Sequence, residues 1–85
     1  METIIPIYWI FEGKEYDGYA VYNEASENDN AFITYESAEN KALERLDAYQ
    51  LEGGEDELRE IWEDLLSDAE ASEDGRLDVT NSSLT

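Results

Sequence analysis

Ser37-Ala38-Glu39-Asn40-Lys41-Ala42-Leu43-Glu44-Arg45-Leu46-Asp47-Ala48-Tyr49-Gln50-Leu51 is the stretch on which the fold turns. Before it, apolar residues fall into short β-rich runs. After it, they recur every three or four positions. Taken with the later period, Ser37 is a helix N-cap and residues 38–51 are a helix. Ala38, Ala42, Leu46 and Tyr49 then share one face, with Leu43 at its margin and Glu44 and Asp47 roughly opposite. The capping-box position holds Asn40, not Glu. Gly53-Gly54 stops the helix and opens a turn.

Working back toward the N-terminus, residues 3–11 are β-rich and apolar on both faces. Ile5, Ile7, Trp9 and Phe11 point one way, and Ile4, Tyr8 and Ile10 the other. Such a strand is covered on both sides or lends one side to a partner. Pro6 lacks the N–H of a ladder donor and favours an edge or a bulge. Glu12-Gly13-Lys14-Glu15 is a hairpin turn. A second strand covers residues 16–22, residues 23–30 form a polar loop, and residues 31–35 are a third strand. Short links make these an antiparallel meander.

Working forward, residues 56–71 form the cleaner helix. Leu58, Ile61, Trp62, Leu65, Leu66 and Ala69 make one stripe. Asp56, Glu60, Glu63, Asp64 and Glu70 lie on the reverse, and Asp56 and Glu57 sit where the helix dipole favours anions. Beyond Asp74-Gly75, Leu77 and Val79 alternate with Asp78 and Thr80, which fits either a short strand or a frayed end. The expected fold is α+β: a small antiparallel sheet of three strands, or four if the tail joins. Two C-terminal helices pack on one face, in the order β-β-β-α-α(-β). Residues 1–75 make the domain and residues 76–85 a polar tail or edge strand.

Charge restricts the function. The 85 residues carry 23 Asp plus Glu against 5 Lys plus Arg, a net charge of -18. Self-repulsion on that scale opposes compaction, and a domain this small has little stability to lose. Cys and His are both absent. Disulfides, thiolate nucleophiles and the commonest neutral-pH acid/base and metal ligand go with them. The apolar N-terminal run has no basic leader and soon meets charge, so neither a signal peptide nor a membrane span is expected, and the cytoplasm is the expected compartment. Asn81-Ser82-Ser83 matches a glycosylation sequon by chance on this reading.

Carboxylate pairs could serve as acid and base, yet these acids occupy exposed helical and loop positions, and an enzyme is not expected. Glu70-Ala71-Ser72-Glu73-Asp74-Gly75 has the glycine spacing of a calcium loop. Its first position is Glu and its twelfth Asn81, so the expectation is a helix end stopped by glycine, with no metal and no cofactor. The few basic residues are scattered, which argues against direct nucleic-acid binding.

Residues 52–74 hold Glu52, Glu55, Asp56, Glu57, Glu60, Glu63, Asp64, Asp68, Glu70, Glu73 and Asp74 against the single base Arg59. Solvation alone does not require so few lysines, because i,i+4 Glu-Lys pairs would stabilise the helix. Two acidic helices could imitate part of a phosphate backbone. Through Glu44, Asp47, Asp56, Glu60, Glu63, Asp64 and Glu70 the chain resembles the nucleic-acid-mimicking inhibitors of bacteriophages and mobile elements. These include anti-restriction proteins, anti-CRISPR proteins and uracil-DNA glycosylase inhibitors. The likeness is one of charge character, since that class shares no motif and its folds differ. It implies a basic nucleic-acid-binding host protein as partner, with those seven acids as contacts and Glu24, Glu27 and Asp29 as secondary ones. Two other readings stand beside it: an interaction module anchored on exposed aromatics such as Tyr8, Trp9, Tyr16, Tyr19, Tyr22 and Tyr35, and a domain adapted to high salt. The two-faced first strand leaves a homodimer open.

Overall fold

Alternation along the first 23 residues builds a long hairpin. In the computed structural model, which describes residues 2–39 and 41–81, strands β1 (Ile4–Phe11) and β2 (Lys14–Asn23) pair antiparallel. Glu12 and Gly13 join them, both at positive φ, 51° and 79°. A two-residue turn of that hand matches the strand twist, and glycine takes the left-handed conformation without steric cost. Ile5, Ile7 and Trp9 are buried on one face of β1, whereas Ile4 and Ile10 on the other are 53% and 46% exposed. The strand is covered on one side only.

β3 (Phe32–Ser37) pairs antiparallel with β2 through the register Asn23 opposite Phe32 to Gly18 opposite Ser37. The next segment departs from expectation. Residues 38–51 do not form a helix: Ala42–Asp47 is strand β4, antiparallel to β3, and Ala48–Gln50 is one 3-10 turn. Ser37 closes the β3–β4 turn, its backbone N–H donating to the Lys41 carbonyl at 3.0 Å, and so caps no helix. Helical spacing in this stretch offered a ragged apolar face. Pairing with β3 satisfies a whole row of backbone groups and seats Leu46 opposite Ile33. Tertiary pairing outweighs a local preference worth only tenths of a kcal/mol per residue. A bulge lies here too: Tyr35 faces Glu44 and Glu36 faces Ala42, leaving Leu43 without an opposite residue.

α1 (Glu55–Ala71) starts one residue before the expected Asp56 and ends at Ala71. The chain then returns along β1 as the short edge strand β5 (Leu77–Asp78), parallel to it, with Val79 buried behind. α1 carries the chain from one edge of the sheet to the other, where β5 runs parallel to β1 and so opposite to β4, the strand that precedes the helix. The sheet order is β4-β3-β2-β1-β5. The antiparallel sheet of three or four strands with two helices is thus corrected: the described residues form a five-stranded mixed sheet with a single α-helix. β5 also explains how Pro6 is tolerated. The Val79 N–H donates to the Tyr8 carbonyl, so even-numbered groups of β1 face away from β2. Pro6 lies on that side before β5 begins opposite Ile7, and its missing N–H interrupts no ladder.

The core lies between α1 and one sheet face. Leu58 and Trp62 are fully buried among Ile5, Ile7, Ala20, Tyr22 and Ile33. Trp62 lies 5.7 Å from Tyr22 between ring centroids, and its indole N–H donates to the Glu2 carbonyl at 2.7 Å. Burying one such side chain contributes about 2–3 kcal/mol. Among the described residues no helix lies over the other sheet face.

Candidate functional site

The stripe that docks α1 also decides what faces water. With Leu58, Trp62 and Ala69 buried, Asp56, Glu57, Glu60, Glu63, Asp64, Asp68 and Glu70 are all exposed. At a rise of 1.5 Å per residue the helix is about 25 Å long. Asp56, Glu60, Asp64 and Asp68 follow at four-residue intervals, so their neighbours stand about 5–6 Å apart. Among the described residues the one ion pair on α1 joins Arg59 to Glu55 at 3.1 Å. Glu55, Asp56 and Glu57 oppose the positive end of the helix dipole, and no base occupies the last turn.

Five of the expected contact residues, Asp56, Glu60, Glu63, Asp64 and Glu70, are therefore on one rigid surface. Glu57 and Asp68 share that exposure and belong with them. The repeat of acids every four residues from Asp56 is the signal that finds Asp68. Glu44 and Asp47 do not join this surface, because their segment is β4 and not a helix. Asp47 is ion-paired with Arg45. Glu44 stands on the inner sheet face opposite Tyr35, whose hydroxyl pKa is raised first by burial and then by the Glu44 charge. In the 23–30 loop, Glu24 and Glu27 are exposed, while Asp29 accepts from Arg45 Nη2 at 2.6 Å.

Cations on the sheet are engaged. Arg45 lies 3.9 Å over the Phe32 ring and binds Asp29 and Asp47, whose hydrogen bonds hold its pKa above the ordinary value. Arg76 lies 4.4 Å over Tyr8 and pairs with Asp74 at 2.9 Å, Asp17 at 2.7 Å and Glu15 at 3.5 Å. The Arg76 hydrogen bonds hold Asp74 below the usual carboxylate range. Asp78 is lowered by the hydroxyl and backbone N–H of Thr80. Between these two networks the open sheet face presents Ile4, Ile10 and Tyr19, the last 44% exposed.

The glycine-spaced stretch after α1 is occupied internally. Ser72 Oγ donates to the Ala69 carbonyl at 2.8 Å, and Asp74 is bound to Arg76. Among the described residues no group of three or more His, Cys, Asp or Glu is placed to hold a metal ion. None of the described helices is long and apolar enough to cross a membrane. Comparison with protein-family models, curated proteins and solved structures finds no match for this chain.

Proposed function

We propose that this protein is a DNA mimic whose α1 face binds and blocks the basic nucleic-acid-binding surface of a host protein, such as a nuclease, restriction enzyme, CRISPR effector or repair enzyme. The observation that carries this reading is linear charge density. Eight carboxylates less one arginine on 17 helical residues leave seven net charges along the helix. Over its length that is about one per 3.6 Å, near the ~3.4 Å per phosphate of one DNA strand. A rigid support spares the acids the ordering entropy that loop acids lose on binding. The surrounding negative field speeds encounter with a basic groove.

The test is retention of nucleic-acid-binding proteins from a bacterial lysate on the immobilised chain, followed by elution with duplex DNA. Bound proteins should leave when DNA or salt is added. Retention that ignores both sinks the reading. Salt-resistant retention supports a second reading instead, an interaction module that docks through the exposed Ile4, Ile10 and Tyr19 of the open sheet face.

A further inference from the structure

α1 is not held evenly along its length. Its first half carries the anchors. Leu58 and Trp62 are fully buried, and the Trp62 indole N–H donates to the Glu2 carbonyl at 2.7 Å. Arg59 pairs with Glu55 at 3.1 Å. Glu55, Asp56 and Glu57 stand at the positive end of the helix dipole, where carboxylates stabilise. From Glu63 to Ala71 the one buried side chain is that of Ala69, with Leu65 and Leu66 half-buried. Leu66, Ala69 and Glu70 border a hollow of about 230 Å³ shared with Glu2, Ile5 and Pro6, so a gap separates this end of the helix from the start of β1.

Charge follows the same gradient. Asp64, Asp68 and Glu70 approach the negative end of the dipole, where carboxylates cost stability, and no base occupies the last turn. Glu2 borders the hollow from the other side with the same sign. Arg76, the next base along the chain, turns away: its guanidinium lies over Tyr8 and pairs with Asp74, Asp17 and Glu15. Loose packing and adverse charge thus coincide at one end of the helix. We propose that α1 opens in two parts: residues 64–71 detach and reclose locally while Leu58 and Trp62 stay docked, and counter-charge along the helix holds the second part closed. Such an opening is a low-stability unit inside a folded domain. The ground state keeps α1 whole and its acids at their spacing. A basic surface laid on the helix removes the repulsion that favours opening, and so tightens the turns it touches. That last step rests on the reading that the partner is basic, whereas the graded helix does not.

Native-state amide hydrogen exchange of the full chain, followed by NMR at fixed pH, reads both parts at once. Protection is taken relative to an unstructured peptide of the same sequence in the same buffer. At about 10 mM KCl, where the Debye length is about 30 Å, the amides of residues 67–71 should be protected roughly tenfold less than those of Ile61 and Trp62. At about 150 mM, where it is about 8 Å, the first group should gain roughly threefold to tenfold and the second much less. Asp68→Lys with Glu70→Lys should give the same gain at low salt and remove the salt response. Asp56→Lys with Glu57→Lys changes net charge equally at the other end of the dipole, and should not protect residues 67–71. The milder Asp68→Asn with Glu70→Gln should act in the direction of the first pair, and the β1 and β2 amides certify the fold of every variant. Spermine at low salt, a polycation in place of the partner, should protect residues 67–71 ahead of β1 and β2. Residues 67–71 as protected as Trp62 at low salt overturn the proposal, because α1 then opens as one piece. Equal gains from the two reversals also overturn it, since only the general field is at work. Protection by spermine in proportion across the whole chain overturns the role given to counter-charge. None of these readouts uses the host protein, so the DNA-mimic reading can fail or stand separately.

Discussion

The outward face of α1 and the open face of the sheet are both exposed to water, yet they treat charge oppositely. On the sheet, Arg45 and Arg76 each bridge two or more carboxylates and lie over an aromatic ring. On α1, Arg59 reaches Glu55 at the first turn, and the carboxylates from Glu60 to Glu70 follow without an interspersed base. Bases are as frequent on α1, one in 17 residues, as in the other 68, which hold four; what sets α1 apart is its acids, eight in 17 residues against 15 in 68. That concentration makes net charge alone a poor descriptor of this surface. Seven of the net negative charges lie on one rigid rod, while the sheet neutralises much of its own.

That contrast depends on α1 staying fixed to the sheet, and Trp62 is the strongest lever on it. Trp62→Ala removes a fully buried ring, its contact with Tyr22 and the bond to Glu2. The expected loss is about 3–5 kcal/mol, enough to unfold a domain of this size. Urea denaturation measures it, and a loss below about 1 kcal/mol would mean the helix is not docked as described. On the sheet the equivalent weak point is Gly18, where an added Cβ would meet the Glu36 carbonyl oxygen at 2.2 Å. Backbone cannot move aside as a side-chain tip can. Gly18→Ala should cost about 1–3 kcal/mol, with Trp9 fluorescence altered and α1 helicity retained in the folded fraction.

The functional side of the contrast is sharpened by two double reversals of equal charge. Glu60→Lys with Glu63→Lys alters α1, and Glu24→Lys with Glu27→Lys alters the loop. Asp29 is left alone because it holds Arg45. Affinity for a basic target should fall on the order of tenfold or more for the helix pair. The loop pair should fall less, chiefly through the association rate. Both variants should keep their melting temperature within a few degrees, since these four side chains are exposed. Equal losses would reduce the helix face to one part of a general field, and a larger loss from the loop would move the contact surface to the sheet.

How much of this was legible in the sequence differs between the same two regions. The stripe from Leu58 to Ala69 is strong enough to place α1 within a residue, and its acids follow from the helical period alone. Gly13 likewise marks the hairpin, although the turn is the two residues Glu12-Gly13 and not the expected four from Glu12 to Glu15, because Lys14 already pairs with Phe11. Residues 38–51 mislead because their periodicity is poor in either reading. Leu43 is the extra residue of a bulge, which spoils the two-residue alternation, while Ala38, Ala42 and Leu46 happen to fall at helical intervals. What settles the matter is non-local: β3 supplies a free edge of backbone groups, and Arg45 finds Asp29 and Phe32 across the sheet. The β5 direction is equally non-local, set by where α1 ends. Thus Asp56, Glu60, Glu63, Asp64 and Glu70 could be grouped correctly while Glu44 and Asp47 were attached to a helix that does not exist.

The smallest predicted effect tests whether the sheet's carboxylates are built-in partners and not ballast. Asp78 accepts from the hydroxyl and the backbone N–H of Thr80, and these bonds depress its pKa. A carboxylate depressed in the folded state adds stability that is present above its unfolded value, about 3.9. That contribution is lost as pH falls through the folded value. Asp78→Asn should therefore lower the melting temperature slightly at neutral pH, and the gap between variant and parent should close as pH falls through the depressed folded value. Asp74→Asn, which removes the carboxylate that Arg76 holds low, should behave with the same sign. Glu63→Gln is the control on the other face: no partner is lost there, and relief of like-charge repulsion leaves stability unchanged or slightly raised at neutral pH. Melting curves of the three variants and the parent across this range separate the two faces. A gap for Asp78→Asn that persists at low pH would mean its carboxylate is not what ties Thr80 to the sheet edge.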